Sequence, residues 1–154
     1  MTAGVPTSQP EAPLLSEAPL LLDTHVLVWL MLGEPALGPQ AKEAIRTAAT
    51  TDRVLVSAIT PWEIAMLVSK NRLTLNRDVL NWLQEALKLP GIKLAELSLE
   101  ISVASTRLPW PIHADPADRI LAATARHFSA TLLTADEKLL HFAGKHLAVM
   151  NAQA

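Results

Sequence analysis

The chain contains no cysteine. That excludes a disulfide framework and every thiolate metal site, and it is compatible with a reducing cytoplasm. Only five glycines occur in 154 residues, and they form no Gly-rich phosphate loop. P-loop and dinucleotide-binding chemistries, which need such a loop, are therefore excluded. A Gly-x-Ser-x-Gly nucleophile elbow is also absent. No apolar run approaches the ~18 residues that cross a bilayer. The longest candidate, from Val26 to Leu32, is too short. An excess of positive charge is missing as well. At a formal net charge of −2, no global field steers the chain toward nucleic acid, so any such contact must come from a local basic patch. The first basic residue is Lys42, so the basic start of a secretory signal is not found.

What remains is a globular composition, half hydrophobic and 18% charged. The length suits one domain with a sizeable core. Residues 1–18 stand apart, with Pro6, Pro10 and Pro13 among small and polar residues. They read as a flexible Pro-rich leader, or as a start codon placed too early, with the domain spanning 19–154. In that domain Leu20-Leu21-Leu22 predicts a buried strand ending at Asp23. Thr24 then caps a helix that Gly33 and Pro35 stop. A second helix is expected from Pro39 to about Thr50, and a second strand over Val54-Leu55-Val56. Thr60-Pro61-Trp62-Glu63 opens a third helix, with Pro61 at its first position. A fourth helix is expected from Asp78 to Leu89, a third strand from Ile92 to Leu97 and a fifth helix from Leu99 to Leu108. Asp115-Pro116 opens a sixth helix reaching about Phe128. Ala130 to Thr134 is a fourth strand, Asp136 opens a seventh helix, and Leu147 to Met150 is a short last strand. This alternation predicts an α/β fold, a mostly parallel sheet of about four or five strands flanked by about seven helices. Right-handed crossovers then bring the carboxyl ends of the strands to one edge.

Asp23, Glu63, the pair Asp115 and Asp118, and Asp136 each fall where a strand-like run passes into a helix-like run. On one sheet edge these carboxylates repel one another unless a cation lies between them. With no Cys or paired His in competition, an all-oxygen set favours Mg²⁺ or Mn²⁺. That points to metal-dependent hydrolysis of a phosphodiester. A structural reading stands beside this one. Thr60-x-x-Glu63 has the form of a capping box. Asp115 before Pro116 is a helix start, Asp118 favours the positive helix end, and Asp136 is a cap. Asp23 is harder to explain in that way. It ends a buried strand one residue before a better cap, and an unpaired buried carboxylate costs several kcal/mol. His113 is a candidate base or a structural donor in a loop. Trp29, Trp62, Trp82 and Trp110, each in an apolar neighbourhood, read as core or interface residues.

The segments LLLDTHVLVWL, SAITPWEIAMLVSKNRL, HADPADRILAATA and LLTADEKL resemble the PIN-domain ribonucleases, and among them the VapC-type toxins of bacterial toxin–antitoxin pairs. The resemblance runs from about Leu20 to Met150. It implies a PIN-like parallel sheet flanked by helices, Mg²⁺ or Mn²⁺ in an acidic cleft, and endonucleolytic cleavage of RNA in the cytoplasm. Asp23, Glu63, Asp118 and Asp136 match the family's four catalytic, metal-binding acids, with Asp23 and Asp118 the first choices as direct ligands. Asp115 matches an extra acid of the His-x-Asp-Pro-x-Asp-Arg subgroup, either an outer contact to the metal or a helix cap. Thr24 and Thr134 match polar positions that orient the acids. Arg119 matches an arginine that contacts phosphate or clamps a carboxylate. Lys70, on nearly the same helix face as Glu63, and Arg72 are candidates to touch the RNA backbone, or else a solvated helix end. A partner antitoxin, which plugs the cleft, and a homodimer are implied too, with no membrane attachment. Two other readings stay open: a PIN nuclease of RNA processing without a toxin role, and a non-catalytic binding module that keeps the fold.

Overall fold

The computed structural model describes residues 17–111 and 115–154. Residues 1–16 of the leader and the candidate base His113 lie outside the described residues. The elements alternate as the sequence predicts. They run β1 (Leu20–Leu22), α1 (Thr24–Leu32), α2 (Pro39–Ala49), β2 (Val54–Ser57), α3 (Ile59–Ser69), α4 (Val79–Leu87) and β3 (Ile92–Ala95). They continue with α5 (Leu99–Ala104), α6 (Pro116–His127), β4 (Thr131–Thr134), α7 (Glu137–Leu140) and β5 (Val149–Asn151). The sheet order is β3-β2-β1-β4-β5, and every neighbouring pair is parallel.

The all-leucine β1 is explained by what covers it. Leu20 and Leu22 face a core shared with Val26 and Leu27 of α1, Ile45 of α2 and Trp82 of α4. Leu21 points the other way, into a core with Leu121 and Ala125 of α6 and Leu139 of α7. A strand buried on both faces reads as a continuous apolar run instead of an alternating one. Leu21 and Leu22 are fully buried, which is worth roughly 1.5–3 kcal/mol for each side chain.

The central strand is also where the chain changes direction. From β1 it builds outward through β2 and β3, then returns to the other side of β1 for β4 and β5. Helices on either side of that reversal leave a crevice at the carboxyl ends of β1 and β4, the place where open α/β sheets bind ligands.

Several expected boundaries shift, each for a local reason. Asp23, not Thr24, caps α1: its Oδ1 accepts the Thr24 N–H at 2.7 Å, and Thr24 is the first helical residue. The α3 helix starts at Ile59 after Ala58, so Pro61 is its third residue and no capping box forms. Proline is tolerated there because first-turn N–H groups have no intrahelical acceptor. Ser57 takes up one of them, accepting from the Ile59 N–H at 3.1 Å. The β3 strand stops at Ala95 instead of Leu97, because its one neighbour, β2, ends at the paired Ser57. The α5 helix ends at Ala104 instead of Leu108. Thr106 and Arg107 close i→i+3 turns there, and Pro109 disfavours helix in the residue before it. The β5 strand runs Val149–Asn151, two residues later than expected at its start, because Leu147 makes an isolated bridge to Ala143 instead.

Trp82 and Trp110 are buried, and Trp29 packs at the edge of the first core. Trp62 is 58% exposed, so of the core and interface readings only the interface one stays open for it. Among the described residues no helix is long and apolar enough to cross a membrane.

Candidate active site

The reversal point collects the acids. Residue 23 follows β1 and residue 134 ends β4, and the register Leu22↔Leu133 brings them side by side. Asp23 is only 3% exposed, so its charge needs partners. One carboxylate oxygen caps α1 through the Thr24 N–H. The other, Oδ2, accepts the Thr134 hydroxyl at 2.6 Å, across 111 residues of sequence. The Thr134 oxygen in turn accepts the Asp136 N–H at 3.0 Å. One buried hydroxyl thus ties two acids together.

Glu63 enters from α3 as the helix's fifth residue, beyond the reach of a capping role. Its Oε1 instead accepts the Thr24 hydroxyl, which also lies 3.1 Å from the Thr60 hydroxyl. That contact joins α1 to α3 and removes the structural reading offered for Glu63. Asp118 is buried in the first turn of α6. Asp115 caps the same helix, accepting the Ala117 N–H at 2.9 Å. Asp136 caps α7 through the Lys138 N–H at 2.8 Å. For these two acids the cap and the cleft position coexist.

All five line one open cleft of about 660 Å³, together with Thr24, His25, Trp62, Met66, Lys70 and Arg72. Lys70 sits at the cleft, as its spacing from Glu63 predicts, and Arg72, beyond the end of α3, lines it too. Arg119 lies one residue past Asp118 on α6 and is not among the residues lining the cleft. His25 is a site residue that the sequence did not single out. Its Nε2 lies 3.6 Å from Asp23 Oδ2, and its ring sits 5.7 Å from Trp29. The only signal was its place two residues after Asp23, and a lone histidine on a helix carries no information about its neighbours. A second, largely apolar hollow of about 610 Å³ lies at the opposite ends of the strands, lined by Leu20, Ala48 and Met150 among others, and holds no acidic cluster.

The acids feel one another. Burial pushes the Glu63 carboxyl above its ordinary value of 4.5; the Thr24 hydroxyl lowers it, and the charges of Asp23, Asp115 and Asp118 raise it again. Desolvation and like charge both disfavour the ionised form. Among the described residues no three carboxylate or imidazole groups stand close enough to enclose a metal ion as they are, because Asp23, Asp115 and Asp136 turn oxygens toward their own helix N–H groups. The donor chemistry nevertheless fits a hard divalent cation: five carboxylates line the cleft, hydroxyls hold those of Asp23 and Glu63, and the single imidazole there, His25, lies against Asp23.

The raised Glu63 carboxyl sets the sign of a pH effect. At neutral pH it is ionised in the unfolded chain and disfavoured as an anion in the folded one, so it lowers stability there. The penalty fades as pH falls through the raised folded value, and it is gone below about 4.5, where both states are protonated. In metal-free buffer, Glu63→Gln is therefore expected to melt higher than the parent chain at neutral pH. That advantage should vanish in acid. Parallel melting curves across the acid-to-neutral range check this, and a lower Tm for the variant at neutral pH would contradict it.

Known proteins share this sequence pattern and fold. The chain is 32% identical to Ribonuclease VapC22 of Mycobacterium tuberculosis over 120 residues, which is 78% of this chain and 88% of that protein. The fold is similar to that of DNA-bound VapBC from Salmonella typhimurium, with a TM-score of 0.62 at 13% identity, covering 87% of this chain and 98% of that one. It is also similar to FitAcB from Neisseria gonorrhoeae, with a TM-score of 0.52 at 30% identity, covering 86% and 97%. Residues 20–145 match the PIN domain family, which takes in every strand but the last and all the acids of the cleft; the chain belongs to that family.

Proposed function

We propose that this protein is a Mg²⁺- or Mn²⁺-dependent endoribonuclease that acts in the cytoplasm as the toxin of a toxin–antitoxin pair. The observation that carries the reading is the cleft at the sheet reversal, lined by five acids from four elements with Lys70 and Arg72 among its other lining residues. The named ribonuclease relative supports RNA as the substrate. Similarity of fold to a toxin-antitoxin complex from Klebsiella pneumoniae and to a member of the VapBC family of toxin-antitoxin systems supports a protein antitoxin as partner, and a homodimer is the expected assembly.

Asp23, Glu63, Asp118 and Asp136 are the residues that would hold the ion. When bound, a divalent cation supplies Lewis acidity toward a phosphodiester oxygen and acidifies water. The protein's own part is to arrange charge and exclude alternatives. The Thr24 and Thr134 hydroxyls fix the oxygens of Glu63 and Asp23 in advance. Carboxylates positioned before substrate arrives need no reorganisation during reaction. Lys70 and Arg72 neutralise phosphates away from the acids, a contribution that weakens as salt rises. Arg119 is assigned to phosphate contact or to clamping a carboxylate, and Asp115 to capping α6 beside the ion.

Inducible expression with and without the neighbouring gene, followed by mapping of cleaved RNA ends, tests the reading. Growth arrest with new RNA ends, both suppressed by the neighbour, is expected. New ends without arrest would assign the protein to RNA processing. Neither effect would leave a binding module.

A further inference from the structure

We infer that Trp62 is a stacking platform for one base of a single-stranded RNA at the acid-lined cleft. The inference rests on the nuclease reading of the cleft and adds a residue that positions the substrate. Trp62 is 58% exposed, while Trp82 and Trp110 are buried at 3% and 6%. Among the described residues, the aromatic pairs involve Trp29 and Trp110 but not Trp62, and the cation lying over a ring is Arg126 over Trp110. Singly exposed apolar residues are common, but this indole lines the acidic cleft together with Ile59, Met66 and Leu67 and so belongs to an apolar patch at the site.

Its neighbours say which use. Along α3 the residues lining the cleft are Ile59, Trp62, Glu63, Met66, Leu67 and Lys70, spaced as one helix face. The acid stands next to Trp62 in sequence. The cation Lys70 lies seven residues beyond the acid, about 10 Å along the helix axis, with Arg72 following. Along the chain the stripe thus reads aromatic, acid, then, past Met66 and Leu67, cation. A ribonucleotide chain laid along this face can set a base on the indole at one side of the acids and a phosphate against Lys70 at the other, with the phosphate to be cleaved at the acids between them. Stacking on an aromatic side chain needs an unpaired base, which a duplex does not offer. A protein segment laid on this face would need apolar packing from the indole but not its planar ring.

The test uses the full chain with Trp62→Ala, Trp62→Leu and Trp62→Phe. Each variant is first checked by melting temperature, which an exposed position should barely move. Binding of a short oligoadenylate and of the matching abasic ribose-phosphate oligomer is measured with Mg²⁺ present. KM and kcat are measured on an RNA cut by the parent protein. Trp62→Ala and Trp62→Leu are expected to weaken oligoadenylate binding and raise KM by about 5- to 150-fold, the range of one base–aromatic stack. The change in kcat should be much smaller. Trp62→Phe should retain most of the affinity, and the abasic oligomer should bind all four proteins alike. Full RNA affinity in Trp62→Leu would overturn the inference and assign the face to protein docking. Equal losses for the abasic oligomer would overturn it too. A parent chain that cuts no RNA would defeat the nuclease reading itself. Cleavage by the parent with an unchanged KM in Trp62→Ala would defeat only the stacking role.

Discussion

Asp118→Asn is expected to reduce RNA cleavage by on the order of 10²–10³-fold, the loss typical when one fixed charge is withdrawn from a reaction that develops charge. The substitution keeps the shape of the side chain and its capacity to hydrogen-bond. If Asp118 served only the positive end of α6, the change would cost about 0.3–1 kcal/mol of stability and leave cleavage intact. Asp118 is buried, and its charge is one of those that raise the Glu63 carboxyl. Removing that charge should therefore hold or raise metal-free stability while activity collapses. Asp23→Asn should lose at least as much activity. It should also cost stability, because Asp23 Oδ2 accepts the Thr134 hydroxyl while Oδ1 caps α1, and an amide has one acceptor oxygen for those two donors. Asp115→Asn should be milder, since an asparagine caps a helix about as well as an aspartate. Cleavage assays paired with melting curves for the three variants decide the matter. Parental activity in both Asp118→Asn and Asp23→Asn would return those residues to a purely structural role.

Chelation is the second large effect. EDTA should abolish cleavage, and excess Mg²⁺ or Mn²⁺ should restore it. Ion binding to the folded state alone raises stability by mass action, by about 2.7 kcal/mol at a hundredfold excess over Kd. For a chain of this size that corresponds to a rise in Tm of roughly 5–10 °C. The rise should shrink in Asp118→Asn and in Glu63→Gln, which bring one less charge to the ion. Undiminished cleavage in EDTA would remove the metal from the mechanism.

The order and type of the elements were legible because they rest on local patterns. The leucine run of β1, the Pro39 start of α2, the Asp115-Pro116 start of α6 and the Gly33 stop of α1 all came through. The acids of the cleft were legible for a related reason. In a parallel sheet every strand-to-helix junction falls on the same edge, so acids at those junctions must converge. Roles inside the junctions were not. Asp23 and Thr24 are both good caps, and no local pattern could say that Thr24 would give its hydroxyl to Glu63 instead of to a backbone N–H. The capping-box reading of Glu63 failed for the same reason, since α3 begins two residues earlier than Pro61 suggests. Trp62 was read with the other tryptophans because an apolar neighbourhood in sequence does not report which face of the helix is covered.

The sequence by itself determined an alternating α/β chain whose acidic junctions share one sheet edge, because hydrophobic run length, caps and breakers act over a few residues. Only the tertiary structure decided the strand order that puts β4 beside β1. It alone decided the Thr134 hydroxyl on Asp23 and the Thr24 hydroxyl on Glu63, pairs separated by 111 and 39 residues. It also decided the exposure of Trp62 at the cleft. Those contacts depend on register and on which side of β1 the chain returns to, and both are set by how two separate cores close on the sheet's opposite faces, not by the residues next to each side chain.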